Sequence, residues 1–270
     1  MKAMTQRLGA ALDGLSVLGP GLAGWTQTSE ILSGRRVYER RPTIIPPAES
    51  LPPAERRRAG RVVNLALAAG QEATANAGVD IASLNTVFAS SGADNINCHE
   101  ILQTLCSEDR RVSPTRFHNS VHNVTAGYWS ISTRDTAPYS VVCAYDGSFA
   151  AGLLEALSQV VTGQTDVLLV AYDIDYPMPL QERRPMSDAY AVALLLRPSR
   201  TPLSMATLLI SLSTEPADRL QSTELEALRC NIPAARSLPL LACIAGSTSG
   251  LTHLDYLAPL SLAIAVTICR

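Results

Sequence analysis

Apolar residues fall along this chain in short uninterrupted runs, set apart by turn residues and by stretches with helical spacing. Residues 84–90 (LNTVFAS), 139–144 (YSVVCA), 166–172 (DVLLVAY) and 189–196 (AYAVALLL) show little alternation of polar and apolar positions. Runs of that kind predict strands buried on both faces. A Gly-rich apolar stretch over residues 9–24 predicts a short strand followed by a loop. Helices are predicted from residues 53–55 to 76, and over 97–106, 120–133 and 149–162. In the first, Val62, Val63, Leu65, Leu67 and Ala69 form the apolar face and Gly78 supplies the stop. Helices alternating with such strands predict an α/β layered fold around a largely parallel or mixed sheet. Beyond Pro198 the pattern weakens to a strand at 205–212, a helix at 222–230 and a last strand at 260–268, with the fold of 199–270 left open.

One segment breaks the alternation. Residues 34–58 hold five prolines and seven arginines, a density that forbids helix or central strand and predicts an ordered arm or loop. It reads either as a solvated connection or as a basic dock for an acidic carrier protein.

Composition narrows the function classes. The chain has 270 residues, 47% of them hydrophobic and 17% charged. That is enough apolar material for a large core within one domain, residues 1–270, and few charges for a free-standing surface. Part of the surface is therefore expected to be covered by another subunit. A net charge of -2 argues against nucleic acid or a membrane surface as partner. Six cysteines without a CxxC pair read as reduced thiols of a cytoplasmic protein. The N-terminus carries no convincing signal peptide. The apolar run at 256–269 is shorter than the roughly 20 residues of a membrane span and is interrupted by Pro259.

Several motifs, in order, resemble the N-terminal half of the β-ketoacyl synthases of the thiolase superfamily. Gly19-Pro20-Gly21-Leu22 with Trp25 and Gly34 looks like that family's opening. Val87-Phe88-Ala89-Ser90-Ser91 resembles its first strand and turn after the long helix, and residues 113–123 (SPTRFHNSVHN) its S-P-x-x-F-x-N-S-V-x-N run. Residues 151–157 look like the helix behind the nucleophile, and Gly163, Asp166 and residues 171–173 like the strand after it. The likeness spans residues 15–198. It implies a thiolase-like layered α-β-α fold, mainly one half of the two-half synthase architecture.

Two departures bear on activity. The turn that would hold the nucleophilic cysteine reads Tyr145-Asp146-Gly147-Ser148, with Asp146 at the nucleophile position to within a residue. Of the four histidines only His253 lies beyond residue 122, and its surroundings match neither catalytic histidine motif. Thioester condensation needs a thiolate, and histidines that assist decarboxylation and stabilise the enolate. A carboxylate is a poor substitute. Asp146 is expected instead to cap the following helix. Cys143 is the rival nucleophile, expected to be an inert thiol inside a buried strand. Three weaker patterns stand beside these: His118 and His122 with Cys98-His99 as a zinc set, Asp173 and Asp175 as a cation pair, and Gly246–Gly250 (GSTSG) as a phosphate cradle. The first reads better as packing near a dimer axis, the second as a strand end, and the third lacks a strand–helix frame.

The resemblance further implies dimerisation through residues 139–144 and the preceding helix. His118, Asn119, His122, Asn123, Tyr139, Val141, Cys143 and Tyr145 are the expected contacts, with the small Ala126, Gly127 and Ser130 letting another helix approach. Taken together, these readings predict a catalytically inactive chain length factor that needs no cofactor or metal. It would pair with an active β-ketoacyl synthase and shape its acyl tunnel, in the half-size form of aryl polyene pathways, with an acyl carrier protein as a further partner. The alternatives are an acyl-condensing or acyl-transfer enzyme using Cys143, and a homodimeric thiolase-like binding module.

Overall fold

A computed structural model describes residues 8–186 and 188–269. The chain opens with β1 (Leu8–Gly19), β2 (Leu22–Ala23) and α1 (Gly24–Leu32), then an extended arm leads to α2 (Pro53–Arg56) and the long α3 (Arg61–Ala77). Next come β3 (Asn85–Ala89), α4 (Asn95–Cys106), α5 (Pro114–His118), α6 (Val124–Thr133), β4 (Tyr139–Val142), α7 (Ser148–Gly163) and β5 (Val167–Asp173). The chain continues through α8 (Leu180–Arg183), β6 (Tyr190–Arg197), β7 (Ala206–Ser213), α9 (Thr223–Asn231), α10 (Leu238–Ala245), β8 (Gly250–Asp255) and β9 (Ser261–Ile268).

One mixed sheet runs in the order β4-β3-β5-β6-β1-β7-β9-β8, with β2 paired to β1. Only β3 with β4 and β3 with β5 pair in parallel; the remaining pairs are antiparallel. Strands β5 and β6 alternate between two cores. Leu168, Val170, Tyr172, Ala191, Ala193 and Leu195 meet α3 and α6 on one face. Val167, Leu169, Ala171, Val192, Leu194 and Leu196 meet α7, α9 and α10 on the other. Burial on both faces is why these strands read as unbroken apolar runs.

Residues 199–270 complete the same sheet and the same core. Their β7 adds to β1, and β9 and β8 extend the edge beyond it. The run at 256–269 is the lead-in and body of β9, and among the described residues no helix is long and apolar enough to cross a membrane.

Several boundaries differ from the sequence expectation. The strand expected within 9–24 is twelve residues long, Leu8–Gly19, and α1 over residues 24–32 is an element the sequence pattern does not predict. The helix expected to run unbroken to residue 76 is interrupted. Gly60 is extended (φ -76°, ψ 172°) and caps α3, and a Cβ there would stand 2.8 Å from the Asp94 carboxylate. The helix expected over 120–133 starts at Val124. Asn119 is spent on tertiary bonds instead, donating to the Arg58 carbonyl at 2.7 Å and accepting from the Tyr128 hydroxyl at 3.3 Å.

The arm is ordered but not a free solvated link. The Tyr38 hydroxyl donates to the Pro20 carbonyl (2.8 Å), the Thr43 hydroxyl to the Ala189 carbonyl (2.7 Å), and Ala48 and Leu51 are buried.

Gly14 marks the tightest contact that positions α3 on the sheet: a Cβ on it would lie 2.1 Å from the Ala73 carbonyl oxygen. Gly14→Ala should therefore destabilise the chain by about 2–3 kcal/mol through overpacking, measured by urea denaturation. Unchanged stability would mean that α3 does not seat this closely.

Candidate functional site

The turn after β4 is a single 3-10 turn, Tyr145–Gly147, leading into α7. Asp146 does not cap that helix. Gly147 occupies the cap position without a side-chain bond, and Ser148 serves the turn, accepting from the Ala144 N–H (3.0 Å) and donating to the Tyr145 carbonyl (2.7 Å). Asp146 instead accepts from two arginines, Arg184 Nη2 at 2.6 Å on Oδ1 and Arg236 Nη2 at 3.0 Å on Oδ2. Each of its carboxylate oxygens is thus taken by a charge-assisted bond to a guanidinium. Arg236 continues to Asp255 at 3.8 Å, and Asp255 in turn pairs with Arg229, which also holds Glu226 at 2.7 Å. An ion-pair chain thus runs from the turn into α9 and β8.

Tyr145 adopts φ +51°, a conformation that costs a non-glycine residue roughly 1–2 kcal/mol. The surroundings fix it. A Cβ on Gly147 would lie 2.9 Å from the Tyr256 carbonyl oxygen, so the turn is pressed against backbone. The Arg184 guanidinium lies 3.8 Å from the Tyr145 ring centroid, a cation–π contact. The Tyr145 side chain itself remains 66% exposed.

Cys143 is not inside a buried strand. It lies one residue past β4 and is exposed, because β4 is an edge strand. Its thiol donates to the Ser91 carbonyl at 3.5 Å.

Asp173 ends β5 in the core beneath this turn. It accepts from the Ser91 N–H (2.9 Å), the Ser91 hydroxyl (2.6 Å) and the Ala234 N–H (2.8 Å). It thereby ties the end of β3 to the C-terminal segment. Burial pushes its carboxyl up to about 6, against the hydrogen bonds from Ser91 and Ala234 and the charge of Arg184. Asp175 points elsewhere, paired with Arg61 at 2.6 Å, so the two aspartates form no cation pair. Gly246–Gly250 links α10 to β8, a helix-to-strand turn and not a phosphate-cradling strand-to-helix one. Among the described residues no three His, Cys, Asp or Glu side chains are placed to hold a metal ion.

The expected contact residues divide into two sets. Asn119 and Ala126 are buried within the chain's own core. His118, Asn123, Tyr139, Cys143 and Tyr145 are exposed, and His122, Gly127, Ser130 and Val141 half-buried, on or beside β4. Burial lowers the pKa of His122. A Cβ on Gly127 would meet nothing within 4 Å, so α6 offers a flat place there. Sequence reasoning missed Arg184 and Arg236; they lie 38 and 90 residues from Asp146, and no local pattern announces them.

The two edges of the sheet are treated differently. At β8, the Asp218 N–H donates to the His253 carbonyl (2.9 Å) and its carboxylate accepts from the His253 N–H (3.0 Å), which closes that edge. At β4, the carbonyls of Pro138 and Val142 serve Thr86 and Ser90 of β3. By alternation, the N–H and C=O of Tyr139 and Val141 point away from the sheet.

The sequence matches the family described as Beta-ketoacyl synthase, N-terminal domain, over residues 25–255. The chain belongs to this family. Solved structures with the same fold include the ketosynthase ApeO in complex with its chain length factor ApeC from Xenorhabdus doucetiae. That match has 21% identity and a TM-score of 0.69, over 96% of this chain and 99% of that one. The ishigamide ketosynthase/chain length factor matches at 13% identity and TM-score 0.73, over 97% of this chain and 100% of that one. A type II polyketide synthase ketosynthase solved with its acyl carrier protein (AntDE:AntF) matches at 9% identity and TM-score 0.76, over 98% and 100%. A search of curated proteins returns no significant match. Within this ketosynthase-like fold, the turn before α7 carries an aspartate clamped by two arginines.

Asp173 gives the site a pH signature. Its carboxyl holds a proton more tightly in the fold than the ordinary carboxylate value near 4 allows. Ionising it therefore subtracts stability as pH rises from about 4 through about 6, by up to about 3 kcal/mol. Urea denaturation at pH 4, 5, 6 and 7 should show this loss in the parent and not in Asp173→Asn. Identical slopes for the two proteins would contradict it.

Proposed function

We propose that this chain is a chain length factor: a non-catalytic partner that forms a heterodimer with an active β-ketoacyl synthase and helps shape its acyl tunnel. The observation that carries the reading is the pairing of two features within seven residues. On this reading the nucleophile position falls at Asp146, which is bound to Arg184 and Arg236, and the strand before it, β4, leaves its outer edge open. An open apolar edge is an aggregation hazard unless a partner covers it. Among the described residues, seven of the seventeen exposed large hydrophobic side chains (Leu102, Leu105, Phe117, Val121, Ile131, Tyr139 and Tyr145) fall between residues 102 and 145. That clustering supports a covered face there. The similar size of the chains in the chain length factor complexes, nearly all of which this chain covers, supports the half-size form. The aryl polyene setting and a cytoplasmic location belong to the same proposal. On this reading the chain acts as one unit over residues 1–270, with no cofactor, by steric shaping.

An acyl carrier protein would deliver the chain. The arm supports a direct contact. Arg35, Arg36, Arg40 and Arg41 are exposed, and a groove of about 450 Å³ lined by Leu22, Ile31, Val37, Pro42 and Ile44 lies beside Arg36 and Arg41. Basic groups around an apolar groove suit an acidic protein surface.

The second reading, a working enzyme using Cys143, draws on the exposure of that thiol. Among the described residues the Ser91 carbonyl is its only bonded partner, and a nucleophile needs a base or a cation to favour thiolate. Because exposure alone makes Cys143 reactive to alkylation, iodoacetamide labelling does not discriminate between the readings.

Co-expression with the β-ketoacyl synthase encoded nearest to this chain should yield a 1:1 complex by size-exclusion chromatography with light scattering. Tyr139→Pro removes an outward N–H at the start of an edge strand, where proline is tolerated. It should weaken that complex roughly tenfold or more while leaving the isolated chain folded. A stable homodimer indifferent to the synthase would support the binding-module reading instead.

A further inference from the structure

Tyr145 stands out among the exposed residues. The bulky residues of a loop usually take relaxed backbone geometry, yet this one is held at φ +51° with its ring 66% exposed. The chain invests three independent constraints in that pose. Ser148 bonds both flanks of the turn, Gly147 is pressed to the Tyr256 carbonyl, and Arg184 bridges from Asp146 to the Tyr145 ring face. Arg184 itself has a side chain only 15% exposed, so the ring rests on a fixed platform. The folding core gains little from an aromatic ring left in water. A pre-set aromatic side chain backed by arginine is what a binding surface uses as an anchor, because its conformational entropy is lost before the partner arrives.

Resting on the heterodimer reading above, we infer that Tyr145 is the pre-organised anchor of the β4 interface. Its pose is maintained by Arg184 and Asp146 as positioning residues, and its occupant is the synthase subunit. The geometry gives the place of contact. Two such edges related by a two-fold axis pair antiparallel. The turn past the C-terminal end of one β4 then lies beside the segment that leads into the other. In this chain the corresponding segment is the loop between α6 and β4, ended by Pro138. Tyr145 therefore seats on the partner's loop before its own edge strand, outside the strand pairing itself. The clamped aspartate acquires a second role: it replaces a nucleophile and also aims an anchor.

The test uses three full-length proteins and the synthase co-expressed above. Tyr145→Gly removes the ring and suits a positive φ, so the isolated chain should keep or gain thermal stability. Its affinity for the synthase, by biolayer interferometry, should fall roughly tenfold or more. Tyr145→Phe should stay within about twofold of the parent, because the ring stack and not the hydroxyl is the anchor. Tyr145→Gly binding as tightly as a parent that does bind would overturn the anchor and leave the heterodimer standing. A parent that does not bind the synthase at all would overturn both.

Discussion

Asp146 holds Arg184 on one carboxylate oxygen and Arg236 on the other. These two bonds join three parts of the chain that lie far apart in sequence: the turn after β4, the segment between β5 and β6, and the C-terminal region before α10. A charge left alone there would be costly, because both arginine side chains are mostly covered. The same pair of bonds shapes everything near it. It draws Asp146 off the N-terminus of α7, fixes the Tyr145 backbone in a strained conformation and sets Arg184 under its ring. The turn that precedes α7 is thereby committed to an internal ion-pair network.

The sheet carries the complementary constraint. Its two ends have the same problem, a row of unpaired backbone groups, and solve it in opposite ways. Asp218 closes β8 from within the chain, whereas the outer edge of β4 is left bare and its Tyr139 side chain is exposed. An edge guarded at one end and open at the other is the layout expected of a subunit that adds to a second sheet. Asp173 stabilises the inner side of this arrangement by gathering Ser91 of the β3 turn and Ala234 of the C-terminal segment under the turn.

Much of the scaffold is legible in the sequence. Strands β5 and β6 lie between helical layers, so both faces are apolar and the runs stand out; α7 shows regular helical spacing and a stop near Gly163. Asp173 and the Ser90-Ser91 turn were visible as motif positions, although their mutual bond was not. Other elements were hidden for physical reasons. Helix α10 (LPLLACIA) is buried on nearly every side, so it has no 3.6-residue apolar stripe to detect. Helix α1 follows Gly-rich sequence that reads as loop. The break before α3 depends on the closeness of Asp94 to Gly60, a tertiary fact. The two arginines that decide the Asp146 conformation are long-range partners, and the N-cap expectation fails for lack of them. Cys143 is exposed where the sequence predicts burial, because a buried strand and an apolar edge strand look alike in sequence.

The central claim is that the turn at Asp146 supplies shape while bond formation belongs to a partner. Intact-protein mass spectrometry of the synthase complex, incubated with an acyl-loaded carrier protein, tests this most directly. The account predicts an acyl adduct on the synthase subunit and none on this chain. A covalent acyl adduct on this chain alone, formed and discharged with turnover, would contradict it.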